Sequence, residues 1–238
     1  MRIIIIRIPF SIRNLDIELD KEWNKYRLKI FTDYTLRSIK AQINQKFIAV
    51  LKCREEMIDF IKKELLNLTD PPNNLMVMGT REYDSKIYKI IKDYKYLYEV
   101  RLDSDDLYHK DFINKLHSYN PDPGTEALIS QNGYIYDIKT KRLASFFLLS
   151  PQSYVFIYKV KDFINGFYYK PKNGHGGVIK LKHELIPGYN YLDICHNKNT
   201  SSTFDYANKE RQKWSKLEIR ENVKSILEEF GIEGNNND

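Results

Sequence analysis

Tyr96-Leu97-Tyr98-Glu99-Val100-Arg101-Leu102-Asp103-Ser104-Asp105-Asp106 is the stretch that decides how this chain folds. An apolar strand from Tyr96 to Leu102 delivers acids at its C-terminal end, which is where open α/β sheets bind ligands. In extended backbone, side chains two apart share a side, so Asp103 and Asp105 can face one ion. Asp106 then points elsewhere or starts the next helix. Carboxylate oxygens suit Mg²⁺ or Mn²⁺, and such an ion would neutralise a diphosphate and make it a better leaving group. A calcium EF-hand does not fit, because Leu107 and Tyr108 would fall where an oxygen ligand and a glycine belong.

On the N-terminal side of this strand the chain alternates strand and helix. Residues 2–8 read as a buried strand closed by Pro9, which cannot donate to a central ladder. Residues 11–31 show partial helical spacing through Trp23, Tyr26, Leu28, Ile30 and Phe31. An amphipathic helix is predicted over Tyr34–Gln45, with Thr32 or Asp33 as its cap. Phe47–Leu51 is a second strand, a helix follows from about Glu55 to Leu68, and Asp70-Pro71-Pro72-Asn73-Asn74 ends it. Leu75–Met78 is a third strand and residues 82–94 a further helix. After the acidic turn comes a helix over about 108–118. Repeated alternation of this kind predicts a parallel, helix-covered sheet.

The second half is richer in strands. Ala127–Tyr136 and Leu143–Val160 are strand-like runs broken by Asn132-Gly133 and Lys139–Arg142. Gly174-His175-Gly176-Gly177 reads as a flexible loop, in which His175 suits a mobile lid as well as chemistry. Val178–Leu181 and Tyr191–Cys195 read as strands, and Lys209–Phe230 as a terminal helix before a frayed end. The expected organisation is one α/β domain over residues 1–230 with a mixed central sheet: a first half (1–118), a second half (119–205), a C-terminal helix (206–230) and a tail (231–238).

With 42% hydrophobic residues in 238, the chain can build a sizeable core and is not globally disordered. Ile3–Ile6 is too short between charges for a signal peptide or a membrane span. Cys53 and Cys195 have no metal-type spacing and fit free thiols in a reducing cytoplasm. The net charge of +6 admits anionic partners: nucleic acid, acidic lipid headgroups or nucleotide diphosphates. The lysines are scattered, not gathered in a stripe, which disfavours a nucleic-acid-tracking surface or nuclease. Eighteen tyrosines, several clustered, offer faces for sugar rings and bases, although most suit half-buried strands. His196-Asn197-Lys198-Asn199-Thr200-Ser201-Ser202 follows a strand, and its histidine can complete a metal site.

Together these pieces resemble the bacterial rhamnosyltransferase family, which has a GT-A fold. The resemblance runs from Arg7 through Trp23, Arg27, Tyr34–Gln42, Phe47 and Arg101–Asp106. It continues through Asn132-Gly133-Tyr134, Ser150-Pro151, His183, and Tyr191-Leu192 to His196 and Asn199. It implies a GT-A glycosyltransferase whose donor, a nucleoside-diphosphate sugar, binds over the first four strands. Arg7, Arg101, Asp103, Ser104 and Asp105 would contact donor or metal, with Mn²⁺ or Mg²⁺ held by Asp103, Asp105 and His196. The chain departs from the family where Asn197 replaces glycine and where the tryptophan usual near Tyr191 is absent, and Leu51-Lys52-Cys53-Arg54 lacks the acids that many related transferases carry after the second strand.

An inverting transferase needs a base for the acceptor hydroxyl. His183 and Glu184 are the first candidates, with Asp137 and Asp193 behind them. The acceptor would be a glycan or a lipid-linked saccharide, reached in the cytoplasm or at the inner membrane face, where a basic surface could help docking. The competing readings are a metal-dependent nucleic-acid-binding protein and a GT-A-like protein that binds donor without turnover.

Overall fold

A computed structural model describes residues 1–12, 15–197, 204 and 217–233. The first strand, β1 (Arg2–Ser11), is followed by α1 (Lys21–Ile30), a π-helical turn (Phe31–Thr35) and α2 (Leu36–Lys40). Then come β2 (Ile48–Cys53), α3 (Ile58–Leu68), β3 (Leu75–Gly79), α4 (Thr80–Ile91) and β4 (Tyr96–Arg101). The acidic turn leads to β5 (Leu107–Tyr108) and α5 (Phe112–Ser118). The strand-rich part comprises β6 (Ala127–Ile129), β7 (Asn132–Asp137), β8 (Arg142–Phe147) and β9 (Tyr154–Lys159). It is followed by α6 (Val160–Ile164), a 3₁₀ segment (Gly174–Lys180), β10 (His183–Leu185), β11 (Tyr189–Cys195), β12 (Glu218–Ile219) and α7 (Val223–Glu229).

Seven strands form the main sheet in the order β10-β6-β9-β4-β1-β2-β3. The first four in sequence pair in parallel, and β9 inserts antiparallel beside β4. This is the α/β architecture with a mixed central sheet that the sequence predicts. A second sheet, β12-β8-β7-β11-β5, begins where β5 leaves the acidic turn.

The Ile run of β1 is buried on both faces, as a central parallel strand must be. Ile4, Ile6, Ile8 and Phe10 pack towards Leu28, Phe31, Leu36 and Ile61 on one side. Ile3 and Ile5 pack with Tyr83, Ile87 and Ile91 of α4 on the other. Burying a side chain of this size contributes roughly 1.5–3 kcal/mol. Charged side chains are few in these strands: Arg7 lies within β1 opposite Arg101 at the end of β4, and Glu99 is buried within β4.

Several boundaries differ from the sequence expectation. Pro9 does not close β1. It lies within the strand at a register shift between Pro9 and Ser11, the kind of irregularity at which sheets tolerate proline. The predicted helix 34–45 is instead the end of one helical run that starts at Lys21 and ends at Lys40. Its cap is Asp20, whose carboxylate accepts from the Trp23 N–H at 2.6 Å, so neither Thr32 nor Asp33 caps it. Val178–Leu181 is not a strand: residues through Lys180 are 3₁₀, and the edge strand is His183–Leu185. The terminal helix is shorter than predicted, because Glu218–Ile219 pairs antiparallel with β8 and only Val223–Glu229 is helical. Residues 209–216 of that prediction lie outside the described residues.

Candidate functional site

Three distant parts of the chain meet at the end of β4. Asp105 Oδ2 accepts from Arg27 Nη1 of α1 at 3.1 Å and lies 3.2 Å from His196 Nε2, just past β11. Arg27 Nη2 donates to Ser104 Oγ at 2.6 Å, and its guanidinium lies 5.7 Å from the Trp23 ring centroid. His196 Nδ1 lies 3.2 Å from the Tyr26 hydroxyl. An ionised carboxylate only accepts, so His196 Nε2 donates to Asp105, while Nδ1 shares a hydrogen bond with the Tyr26 hydroxyl. Burial pushes the Asp105 carboxyl up, but the His196 hydrogen bond and the Arg27 charge outweigh it and hold the group below its usual range.

Asp103 takes a different partner. Arg101 Nη2 reaches its Oδ1 at 3.0 Å and its Oδ2 at 3.3 Å, with Nε at 3.2 Å, and Arg101 also lies over the Tyr154 ring. Arg7, on the neighbouring strand, pairs with Glu99 at 3.4 Å, and that charge raises its pKa.

Asp106 turns inward and is buried. Its Oδ2 accepts from Gln152 Nε2 at 3.4 Å, while the same amide donates to Asp193 Oδ1 at 2.7 Å. The Ile194 N–H reaches Asp106 Oδ1 at 3.4 Å. Burial, then Asp193, Asp105 and Asp103, push the Asp106 carboxyl well above its usual range. This buried acid–amide–acid link ties the acidic turn to β11 and so positions His196.

The fold thus brings together Ser104, Asp105 and His196, with Asp103, Arg101 and Arg7 along the adjoining strand ends. Among the described residues, no three His, Cys, Asp or Glu side chains converge as a protein cage for a metal. A Mg²⁺-type ion on a diphosphate needs only one or two protein carboxylates, the rest coming from phosphate and water. The donor chemistry of Asp103 and Asp105 fits that requirement, although each carboxylate is ion-paired here. The loop residues 198–202 lie outside the described residues.

His183 and Glu184 are not part of this cluster. They lie on β10, three strands from β4, and His183 is in register with Ala127, Phe156 and Glu99 in turn. At about 4.8 Å per strand this is roughly 14 Å across the sheet. His183 Nδ1 lies 2.9 Å from the Leu181 carbonyl, which can only accept, so Nδ1 donates to it. Glu184 accepts from the Tyr119 hydroxyl at 2.9 Å, the Asp122 N–H at 2.8 Å and Thr125 Oγ1. The Thr125 bond leads the effects that lower its pKa. Asp137 is a turn residue, accepting from Lys139 N–H at 2.9 Å and Thr140 Oγ1 at 2.8 Å.

Sequence reasoning missed Tyr26 and Gln152 as parts of the site. Tyr26 adjoins Arg27, and Gln152 follows Ser150-Pro151, so both family fragments pointed to the right neighbourhood. Nothing in the spacing could show that Gln152 bridges two acids 46 and 41 residues away.

A family model described as "Putative rhamnosyl transferase" matches residues 13–139. Among solved structures, S. aureus TarS 1-349 in complex with UDP-GlcNAc aligns at 14% identity and TM-score 0.48, covering 84% of this chain and 61% of that one. Full S. aureus TarS aligns at 14% identity and TM-score 0.43, covering 81% and 37%. The 4-diphosphocytidyl-2C-methyl-D-erythritol synthase from Anaerococcus prevotii aligns at 14% identity and TM-score 0.40, covering 86% and 95%. The chain therefore spans under two thirds of the TarS chains it matches. No curated protein matches it. No helix among the described residues is long and apolar enough to cross a membrane.

Proposed function

Because the chain belongs to this rhamnosyl transferase family, a family of glycosyltransferases, we propose that it moves a sugar, with rhamnose the first to test, from a nucleoside-diphosphate donor to a glycan or lipid-linked saccharide. The observation that carries this reading is the meeting of Arg27, Asp105 and His196 at the C-terminal end of β4. Ionic and polar side chains from three distant segments are held there with little solvent contact, which is costly to build without a ligand to serve.

Asp103 and Asp105 would hold Mn²⁺ or Mg²⁺, with His196 beside them. That ion would supply charge neutralisation for the departing diphosphate. Arg101 and Arg27 are the counter-charges of these carboxylates before donor binds. On arrival of a diphosphate, either guanidinium can transfer its donors to phosphate oxygens, for which its fork is suited. Ser104 holds Arg27 in place for that exchange.

The acceptor base is proposed to be His183, through Nε2, because Nδ1 is engaged by the Leu181 carbonyl. A separation of roughly 14 Å across the strands leaves room for a donor sugar and an acceptor ring between it and β4. Attack from that side, opposite the diphosphate, would invert the anomeric centre. Glu184 would instead fasten the 119–125 loop beside the acceptor.

The test is a transfer assay with a panel of UDP-, GDP- and dTDP-sugars, reading donor consumption and the product anomer by NMR. Metal-dependent donor consumption, abolished by Asp105→Asn and reduced in kcat by His183→Ala, supports the assignment. Turnover of a donor that survives both substitutions would place the chemistry elsewhere.

A further inference from the structure

We propose that the face opposite the acidic turn carries a second binding site, for a phosphate ester bearing a sugar ring. A groove of about 800 Å³ opens there between the start of β4 and the β9–α6 junction. It is lined by Lys92, Lys95, Lys159 and Lys161, with Tyr94 and Tyr96 among its walls. No carboxylate lines it, although Asp93 and Asp162 are neighbours in sequence. Among the described residues, none of the four lysines forms an ion pair, whereas Lys25, Lys29, Lys86 and Lys110 all do.

Four like charges around one concavity repel one another unless an anion sits between them. The lysines are exposed, so no desolvation cost arises there until a ligand arrives. Tyr94 and Tyr96 are half-buried and fixed, and Lys95 Nζ already lies 5.3 Å from the Tyr96 ring centroid. A ligand with a phosphate for the ammonium groups and a ring for the tyrosine faces matches both features. A concavity of this volume suits a discrete ligand better than a flat bilayer surface.

The site does not depend on the donor assignment. β4 runs from this groove to the acidic turn, so seven residues at about 3.3 Å each put the two sites roughly 20 Å apart. A ligand held here could be a remote part of a long phosphorylated glycan acceptor or a free sugar phosphate. Both present the same chemistry.

The test is calorimetric titration of the full chain with glucose 1-phosphate and, separately, inorganic phosphate. Saturable glucose 1-phosphate binding is expected, weakened about tenfold by Lys95→Glu/Lys159→Glu and unchanged by Arg101→Ala at the other end of the sheet. Tyr94→Ala should weaken glucose 1-phosphate more than inorganic phosphate. A phosphorylated oligosaccharide that binds more tightly than glucose 1-phosphate would identify the glycan source, and equal affinity the free sugar phosphate. The double variant changes two exposed side chains, and its circular dichroism and melting temperature should match the wild type. Absence of binding, binding indifferent to the lysine reversals, or binding abolished by Arg101→Ala would overturn the proposal. So would sedimentation with phosphatidylserine vesicles, lost in the double variant, in a protein that ignores glucose 1-phosphate; that result would make the groove a membrane contact.

Discussion

Asp105→Asn should destabilise the fold as well as remove a ligand, because Asp105 is the centre of the ion-paired cluster. The Arg27 and Asp105 side chains are 13% and 15% exposed and 3.1 Å apart. Removing one partner of a buried pair costs about 3–5 kcal/mol, because the other charge stays buried. Arg27 keeps its bond to Ser104 and its contact with Trp23, which places the cost near the low end, at about 3 kcal/mol. For a chain of this size each kcal/mol shifts the melting temperature by roughly 2–4 °C, so a fall of about 6–12 °C is expected. A double-mutant cycle with Arg27→Met, read by urea denaturation, isolates the pair. The coupling should lie at about 1.5–3 kcal/mol, because the double variant no longer leaves an orphaned charge. Effects that add to within about 0.5 kcal/mol would refute the reasoning, since they would mean that Arg27 and Asp105 act independently.

Three further outcomes follow from local packing. A Cβ at Gly133 would fall 2.4 Å from the Tyr191 ring, so Gly133→Ala should cost about 1–3 kcal/mol, while Asn132→Ala beside it should be milder by thermal melting. Burial and Lys115 depress the His109 pKa against the pull of Glu229, so folding favours its neutral form. Its contribution is complete above the unfolded value of about 6.5 and is lost as pH falls through the lower folded value. His109→Gln should therefore flatten the decline of stability between about pH 7 and pH 5, and an unchanged pH profile would contradict the assignment. Glu184→Ala should free the 119–125 loop, seen as faster amide exchange at Asp122 and Thr125, whereas Glu184→Gln should keep part of that protection.

Much of the N-terminal half was legible because its signals are local. The Ile run of β1, the Asp70–Asn74 stop and the strand leading into Asp103 each report their structure through neighbours in sequence. The continuous helix through Phe31–Thr35 was not legible, since a π turn shifts the apolar spacing and makes one helix look like two. Strands β5, β10 and β12 have two or three residues each, too few to show alternation, and exist only through pairing with partners far along the chain. The same limit applies to the site. Asp103 and Asp105 announced themselves by position, but the clamp by Arg27, the Tyr26–His196 contact and the Asp106–Gln152–Asp193 link arise only when α1, the acidic turn and β11 meet.

The central claim is that the acidic turn holds a nucleoside diphosphate together with a divalent cation. The direct measurement is ligand-induced stabilisation of the wild type, Asp103→Ala and Asp105→Ala, each against its own ligand-free melting temperature, with UDP, GDP and dTDP with and without Mn²⁺. A ligand at about a hundred times its Kd should stabilise the wild type by about 2.7 kcal/mol. The account predicts this for at least one nucleotide, only with Mn²⁺, and in neither variant. Stabilisation that persists in both variants, or none with any nucleotide in a folded wild-type sample, would contradict it.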